Sequence, residues 1–564
     1  MIADLPPGLI LILGPLLIPF LRPGLRSYYM LLLPLLALGQ LVALPSGVHG
    51  QMQMFGHTLV FLRIDSLSFV FGLVFLIAAL LNVVYSWHDR DAVQQVSGQM
   101  YAGAAVSAIF AGDLISLFIF WELTAITSVF LIWASRNERA YRSGMRYLVI
   151  QIGSGVILLA GVILHYRATG SIAFDKLGLV SLPTALILFA FGIKCAFPLL
   201  HNWVSDAYPE ATVTGTVILS AFTTKLAVYA LARSFPGTEM LIWIGVTMCV
   251  FPIFYALTES DLRRVLAYSL INQLGFMVIG IGIGTPLALN GTAAHAFSSV
   301  LYQGLLFMSI GAVLHRTGTA KGAELGGLWR SMPWTAGFCI IGAASISAFP
   351  LFSGFISKSM IISASAEEGH WITWLVLLLA SACVLLHSGI RIPYAAFFAQ
   401  DSGVRGKEAP INMLIAMGAT AFLCIALGVY PQALYAILPH PVTYAPYTTT
   451  HVITQVQLLL FAGLAFCMLI RHKLYSPKLS ASNLDSDWIY RRLLPAIVGF
   501  FGKVISLMHF RALARSRVRL NEVIAAVYRH HGPQGGLART WPVGSTVLWV
   551  AVLLCVTLVF YYIE

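Results

Sequence analysis

The chain has 564 residues, of which 59% are hydrophobic and only 10% charged, and a mean hydropathy of +0.84. This composition lies outside the range of soluble globular domains and excludes a soluble enzyme. The net charge of +12 does not point to nucleic acid, because the basic residues sit mostly in short loops between apolar runs, where they set membrane orientation.

At about twenty residues per span, apolar segments stand near 5–21, 27–46, 66–87, 93–111, 114–134, 146–165, 182–200, 212–232, 239–258, 265–285, 291–314, 334–363, 371–397, 411–437, 452–470 and 542–562, which predicts sixteen helices. Met1–Pro7 carries Asp4 and no basic cluster, so the first run reads as a span and not a cleaved signal. With the N-terminus outside, alternate loops carry basic sets such as Arg136–Arg146, Arg263 and Arg264, Arg405 and Lys407, and Lys473 and Lys478. The opposite loops carry only Arg63, Arg167, Lys176 and Arg233, which makes the first set cytoplasmic. The seven cysteines fall singly in apolar runs with no metal-ligand spacing, so neither a cofactor nor a metal is expected, and no redox or hydrolytic site is visible.

The stretch from Phe191 to Arg233 places two lysines, Lys194 and Lys225, in apolar sequence, with Pro198 breaking the helix between them. An ammonium at membrane depth is costly, and interrupted backbone is tolerated there only where it lines protein or a watery cavity. Glu122, in GDLISLFIFWELTAITSVFLIWA, has no charged neighbour within its own span and is expected to lie within salt-bridge reach of Lys194, directly or through one water. Such a pair is either a switch for proton affinity or a static clamp between two helices. A lone membrane histidine, His295, precedes Gln303 by a little over two helical turns. The twelfth segment repeats the break, with Pro350 and Gly354 before Lys358. Two interrupted spans in corresponding positions indicate an inverted-repeat transporter with its sites at the breaks. Asp65, Asp113 and His201 are further candidates for relay support, although Asp65, Asp113 and Glu122 form no recognisable sodium cage.

The order RIDSLS, DLISLFIFWE, K-x-x-x-P-x-x-x-x-W-x-x-D-A, a lysine in the next helix, DLRRVLAYS, HAF-x-x-x-x-x-x-GLLF and PLFSGF-x-SK resembles the antiporter-like subunits. That family comprises proton-pumping subunits of respiratory complex I, large subunits of Mrp-type cation/proton antiporters, membrane-bound hydrogenase subunits and inorganic-carbon uptake proteins. The resemblance implies an all-α polytopic membrane protein with a fourteen-helix core of two inverted five-helix repeats, each with a broken helix. It also implies a proton relay through Glu122, Lys194, Lys225 and Lys358, with His295 and Gln303 in support. Family members usually carry a lysine where Gln303 stands, and the complex I member with a lateral helix a histidine where Ser299 stands. Glutamine bridges water but takes no proton near neutral pH. The Lys225 position resembles the Mrp D subunit or the middle complex I subunits, whereas the sequence after Leu484 resembles the distal complex I type.

These readings divide the chain into N-terminal helices (1–92), a first repeat (93–258), a second repeat (259–410), C-terminal core helices (411–470), a cytoplasmic linker with an amphipathic surface helix (471–540) and a final transmembrane helix (541–564). From residue 488 to about 520, apolar residues recur at helical spacing among arginines. Gly532–Gly536 is expected to end that helix, and Pro495 and Gly499 to bend its start. The expected function is a proton-translocating subunit of a multi-subunit complex in a bacterial plasma membrane. Its partners would be other membrane subunits, the lipid bilayer and protons, with sodium exchange left open. The alternatives are the membrane subunit of a proton-driven inorganic-carbon uptake system and a structural subunit with a vestigial channel.

Overall fold

The computed structural model describes residues 5–54, 56–472, 488, 492–531 and 543–563, in two units, Met1–Asn483 and Leu484–Glu564. In the first unit α1 (Pro7–Leu13) runs on as tighter turns through Gly14–Phe20, where Pro15 and Pro19 lack backbone donors. There follow α2 (Pro23–Ala43), the strands β1 (Gly47–Met54) and β2 (His57–Ile64), α3 (Ser66–Tyr85), α4 (Ala92–Phe110), α5 (Leu114–Trp133) and α6 (Glu138–Thr169). Next come α7 (Leu182–Lys194), α8 (Asn202–Ala207), α9 (Val213–Ala221), α10 (Thr223–Ser234), α11 (Met240–Thr258), α12 (Leu262–Ile283) and α13 (Pro286–Thr317). The unit closes with α14 (Pro333–Ile346), α15 (Ser353–Glu367), α16 (Trp371–Val384), α17 (Arg391–Pro393), α18 (Ile411–Val429), α19 (Gln432–Tyr435) and α20 (Thr449–Arg471). The second unit holds α21 (Leu494–His531) and α22 (Val543–Ile563).

Every one of the sixteen predicted apolar segments contains a helix. Among the described residues, twelve helical spans are long and apolar enough to cross a membrane. Two helices outrun their apolar stretches: α6 and α13 continue until Gly170 and Gly318 adopt the left-handed conformation that ends a helix without steric cost. Hydropathy stops at the edge of the hydrocarbon, while backbone hydrogen bonding continues beyond it. The antiparallel β1–β2 hairpin was not among the expectations; its signal was the strand-forming run Leu59–Ile64 after the turn glycine Gly56.

The helices α9, α10, α12 and α13 are buried almost all round, whereas α2 and α20 present much of their surface outward. A helix buried on every side puts its polar residues inside the protein, and those of α12 and α13 include Asn272, Gln273, His295 and Gln303, all at most 1% exposed.

The two breaks use one tetrapeptide twice, Ala196-Phe197-Pro198-Leu199 after α7 and Ala348-Phe349-Pro350-Leu351 after α14. In both, the alanine and the leucine have positive φ (62° and 68°, then 56° and 73°). The hydrogen bonds match as well: Phe197 donates to Gly192 O and Phe349 to Ala344 O, both at 3.0 Å, while Ala196 donates to Ile193 O and Ala348 to Ser345 O. This is the helix-ending bond pattern usually built on glycine, made here with alanine. Corresponding caps support the same internal repetition, since Asp113 caps α5 and Asp261 caps α12, and each forms an isolated antiparallel bridge, with Ala173 and with Lys321.

Left-handed backbone costs a non-glycine residue about 1–2 kcal/mol, so Ala348→Gly is expected to raise the melting temperature of the purified protein. A lowered melting temperature would mean that the alanine conformation is free of strain.

In the second unit α21 has 38 residues, about 57 Å at 1.5 Å per residue. It runs past residue 520 to His531, immediately before the glycines expected to end it. Pro495 falls in the first turn, where a missing N–H is tolerated. The linker basics Lys473 and Lys478 and the expected stop at Gly532–Gly536 lie outside the described residues.

Candidate functional site

The three lysines singled out from sequence are buried, Lys194 and Lys225 at 0% exposure and Lys358 at 1%. Each ammonium is held by backbone oxygen. Lys194, the last residue of α7, donates to Trp121 O (2.5 Å) and Thr124 Oγ1 (3.0 Å) on α5 and stands 4.4 Å from the Trp121 ring centroid. Lys225 donates to Ser220 O at 2.8 Å across the interruption at Phe222 between α9 and α10. Lys358 donates to Ile346 O, the last residue of α14, at 2.6 Å, and lies 5.0 Å from the Phe276 ring centroid. For Lys225 and Lys358 the pattern follows from the breaks, since the ends of α9 and α14 leave carbonyls without amide partners and attract a cation, whereas Lys194 reaches a carbonyl in the middle of α5.

Glu122 projects from α5 toward α6, where a Cβ built on Gly155 would fall 1.3 Å from its Oε1. That oxygen is buried without a hydrogen-bond partner. Among the described residues no ion pair joins Glu122 to Lys194, so the direct contact expected from sequence is not formed. The ammonium has turned to the carbonyl of Trp121, one residue before Glu122, while the carboxylate fills the space left by a glycine. One turn earlier on α6, Gln151 is also buried, with both amide atoms unpartnered.

In the second half His295 Nδ1 lies 3.1 Å from Ser357 Oγ on α15, and its Nε2 lies 3.3 Å from Tyr302 Oη, which donates to Gln273 Oε1. Gln303 Nε2 donates to Leu266 O at 2.8 Å, leaving its Oε1 without a partner. Sequence reasoning missed His387, which sits in a wide helical turn, Leu385–Ile390, with Nδ1 2.8 Å from Ser388 Oγ. Ser388 in turn donates to Ser269 on α12. A histidine inside the apolar run SACVLLHSGI was the available signal, and such local widening recurs at functional positions.

The three supporting candidates fall elsewhere. Asp113 caps α5, with its oxygens taken by Ile115 N, Ser116 N, Ser116 Oγ and Val60 N. His201 lies buried at the start of α8, its ring 4.4 Å from that of Phe251. Asp65 caps α3 and pairs with Arg233 at 2.8 Å, beside Arg63, which bridges to Asp175. Burial alone would raise the Asp65 carboxyl pKa, but Arg233, the Ser68 amide and Arg63 outweigh it and hold the group below its ordinary 3.8.

A folded-state pKa below the unfolded one stabilises the fold above the unfolded pKa, and that contribution is lost as pH falls through the folded value. Asp65→Asn is therefore expected to lower the melting temperature at pH 7 and to have no effect at a pH low enough to protonate the native carboxyl. An equal loss at both would assign the stabilisation to the cap alone.

Residues 111–384 match the family described as "NADH:quinone oxidoreductase/Mrp antiporter, TM". The chain is 28% identical over 375 residues to the D subunit of a Na(+)/H(+) antiporter of Bacillus subtilis, covering 62% of this chain and 75% of that protein. It is 27% identical over 421 residues to hydrogenase-4 component B of Escherichia coli, covering 65% and 62%. The fold superposes with a TM-score of 0.71 on a chain of the membrane-bound sulfane sulfur reductase, an archaeal respiratory membrane complex, at 22% identity over 98% of this chain and 99% of that one. Over residues 111–384 the chain is similar to the antiporter-like subunits. Its long apolar helices make it a multi-pass membrane protein, and the matched segment includes Glu122, Lys194, Lys225, His295, Gln303 and Lys358.

Proposed function

We propose that this antiporter-like protein moves protons along its buried polar residues, from Glu122 and Lys194 through Lys225 and the His295–Gln303 region to Lys358, with His387 beyond it. The observation that carries the reading is three buried lysine ammoniums held by backbone oxygen, with no carboxylate in ion-pair contact among the described residues. A buried ammonium satisfied only by dipoles is costly to keep, and a structural role alone gives no reason to keep three. Gln151, Ser298, Ser299, Gln303 and His387 each carry a buried polar atom without a protein partner, positions suited to bridging water. Glutamine at 303 then carries protons by orienting water and not by titrating.

Partners are proposed from similarity. The chain matched in the sulfane sulfur reductase belongs to a membrane complex, and the apolar, arginine-bearing α21 suits a helix lying on the cytoplasmic face against other subunits. A bacterial plasma membrane is the expected location. The test is proton uptake by proteoliposomes containing the purified protein or its copurifying complex, comparing the native chain with Lys225→Met. Loss of flux with normal insertion supports the relay, and unchanged flux in the variant removes it.

A further inference from the structure

At the arginine-rich end of the first half, the last turn of α3, the loop to α4, and the first turns of α4 and α9 enclose a cavity of about 20 Å³ lined by Asn82, Asp89, Gln94, Gln95, Gln99 and Thr214. None of these belongs to the lysine track. Three amide oxygens there, Asn82 Oδ1, Gln95 Oε1 and Gln99 Oε1, are buried without partners, and Gln95 and Gln99 are only 6% and 3% exposed. The orientation of the two glutamine amides is fixed from the other side. Gln95 Nε2 donates to Asp89 O at 2.7 Å and Gln99 Nε2 to Met30 O at 3.3 Å, so turning either amide over would set oxygen against oxygen. Gln94 Nε2 donates to both Asp89 Oδ2 and Thr214 Oγ1, and Thr214 Oγ1 donates to Asp89 Oδ2, so the carboxylate is anchored at the rim.

The two glutamines therefore turn acceptors toward the cavity, and Asn82 Oδ1 is a third oxygen without a partner. The space suits about one water-sized particle. A water molecule has two protons for three unpartnered oxygens, whereas a cation needs only oxygen ligands, and Asp89, whose oxygens also accept from Gln94, Thr214 and the Asp91 amide, adds one negative charge at the rim. The charge also matches a single positive ion: Asp89 supplies one carboxylate, and the neighbouring Asp91 is committed to Arg136 at 2.7 Å. A divalent ion would call for more carboxylates than this.

We propose that Asn82, Gln95, Gln99 and Asp89 bind one dehydrated alkali-metal cation at this end of the first half. Its use in transport rests on the proton-translocation reading, as the site from which a counter-ion is exchanged; its existence does not.

The test uses the full-length purified chain. Thermal unfolding is followed in sodium, potassium and choline chloride at equal ionic strength, together with equilibrium binding of radioactive sodium and rubidium, the latter standing in for potassium. Sodium or potassium should raise the melting temperature saturably over choline, with about one ion bound per chain. Gln99→Leu should weaken that binding at least about tenfold, while Asn82→Asp, which keeps the oxygen, should retain it. Lys194→Met should abolish proton flux and leave cation binding unchanged, so the failure of the relay and the failure of this site are distinguishable. Absence of a saturable sodium or potassium effect in the native chain, or equal binding in Gln99→Leu, would overturn the proposal and leave the cavity to water.

Discussion

Lys194→Met is expected to lower proton flux in proteoliposomes by about a hundredfold or more, the scale on which losing an obligatory proton carrier acts, while the melting temperature stays level or rises. The two readouts separate the relay from a static clamp. Methionine has nearly the length of lysine and no charge, and replacing a buried charge by a well-packed apolar group is often neutral or stabilising by about 1–4 kcal/mol. A clamp would behave in the opposite way, because removing the ammonium would free α7 from Trp121 O and Thr124 on α5 and the protein would unfold more easily. Unchanged flux would end the relay reading. Lost flux with a sharply lowered melting temperature would assign Lys194 to the scaffold. Glu122→Gln is expected to follow the same pattern, with transport lost and the protein still inserted.

Gly155→Ala is expected to impair flux through Glu122 without touching any titratable group. The added methyl would stand where Glu122 Oε1 now lies, 1.3 Å away by construction. The obstacle is the far end of a flexible side chain and not backbone, so the fold survives and the carboxylate moves. Leaving its present rotamer costs about 1 kcal/mol, and the ammonium of Lys194, held one residue away at Trp121 O, is the charge that would attract it. A carboxylate driven onto the ammonium locks both charges and slows proton release. The measurement is a double-mutant cycle on flux between Gly155→Ala and Glu122→Gln. A strong effect in the native background and little further effect beside glutamine supports a mobile carboxylate, whereas equal effects in both backgrounds would show that alanine acts only by disturbing α5–α6 packing.

Sequence alone located nearly all of the helices, because a membrane leaves the backbone no alternative and the apolar run length reads it out directly. It also located the three buried lysines, since a charge inside an apolar span is visible without coordinates. It marked the breaks by Pro198 and Pro350. It overlooked that both breaks are written AFPL with the same two positive φ angles, a correspondence that gains meaning once the backbone is seen to fold alike. The hairpin β1–β2 and the full lengths of α6, α13 and α21 depend on hydrogen bonding outside the hydrocarbon, which hydropathy does not register.

What each charge touches was decided by tertiary structure alone. Asp65 and Asp113 look like membrane carboxylates in the sequence, yet both cap helices, because capping depends on where an Asp stands relative to the first turn and on what packs beside it. Glu122 and Lys194 look like a pair by charge, but a glycine on α6 makes room for the carboxylate, and the carbonyl of Trp121 with the Thr124 hydroxyl on α5 takes the ammonium. His387 and the amide cluster of Asn82, Gln95 and Gln99 gain their meaning from partners distant in sequence, or from the lack of them, and burial of an unsatisfied oxygen is a property of the packed protein that no sequence pattern carries.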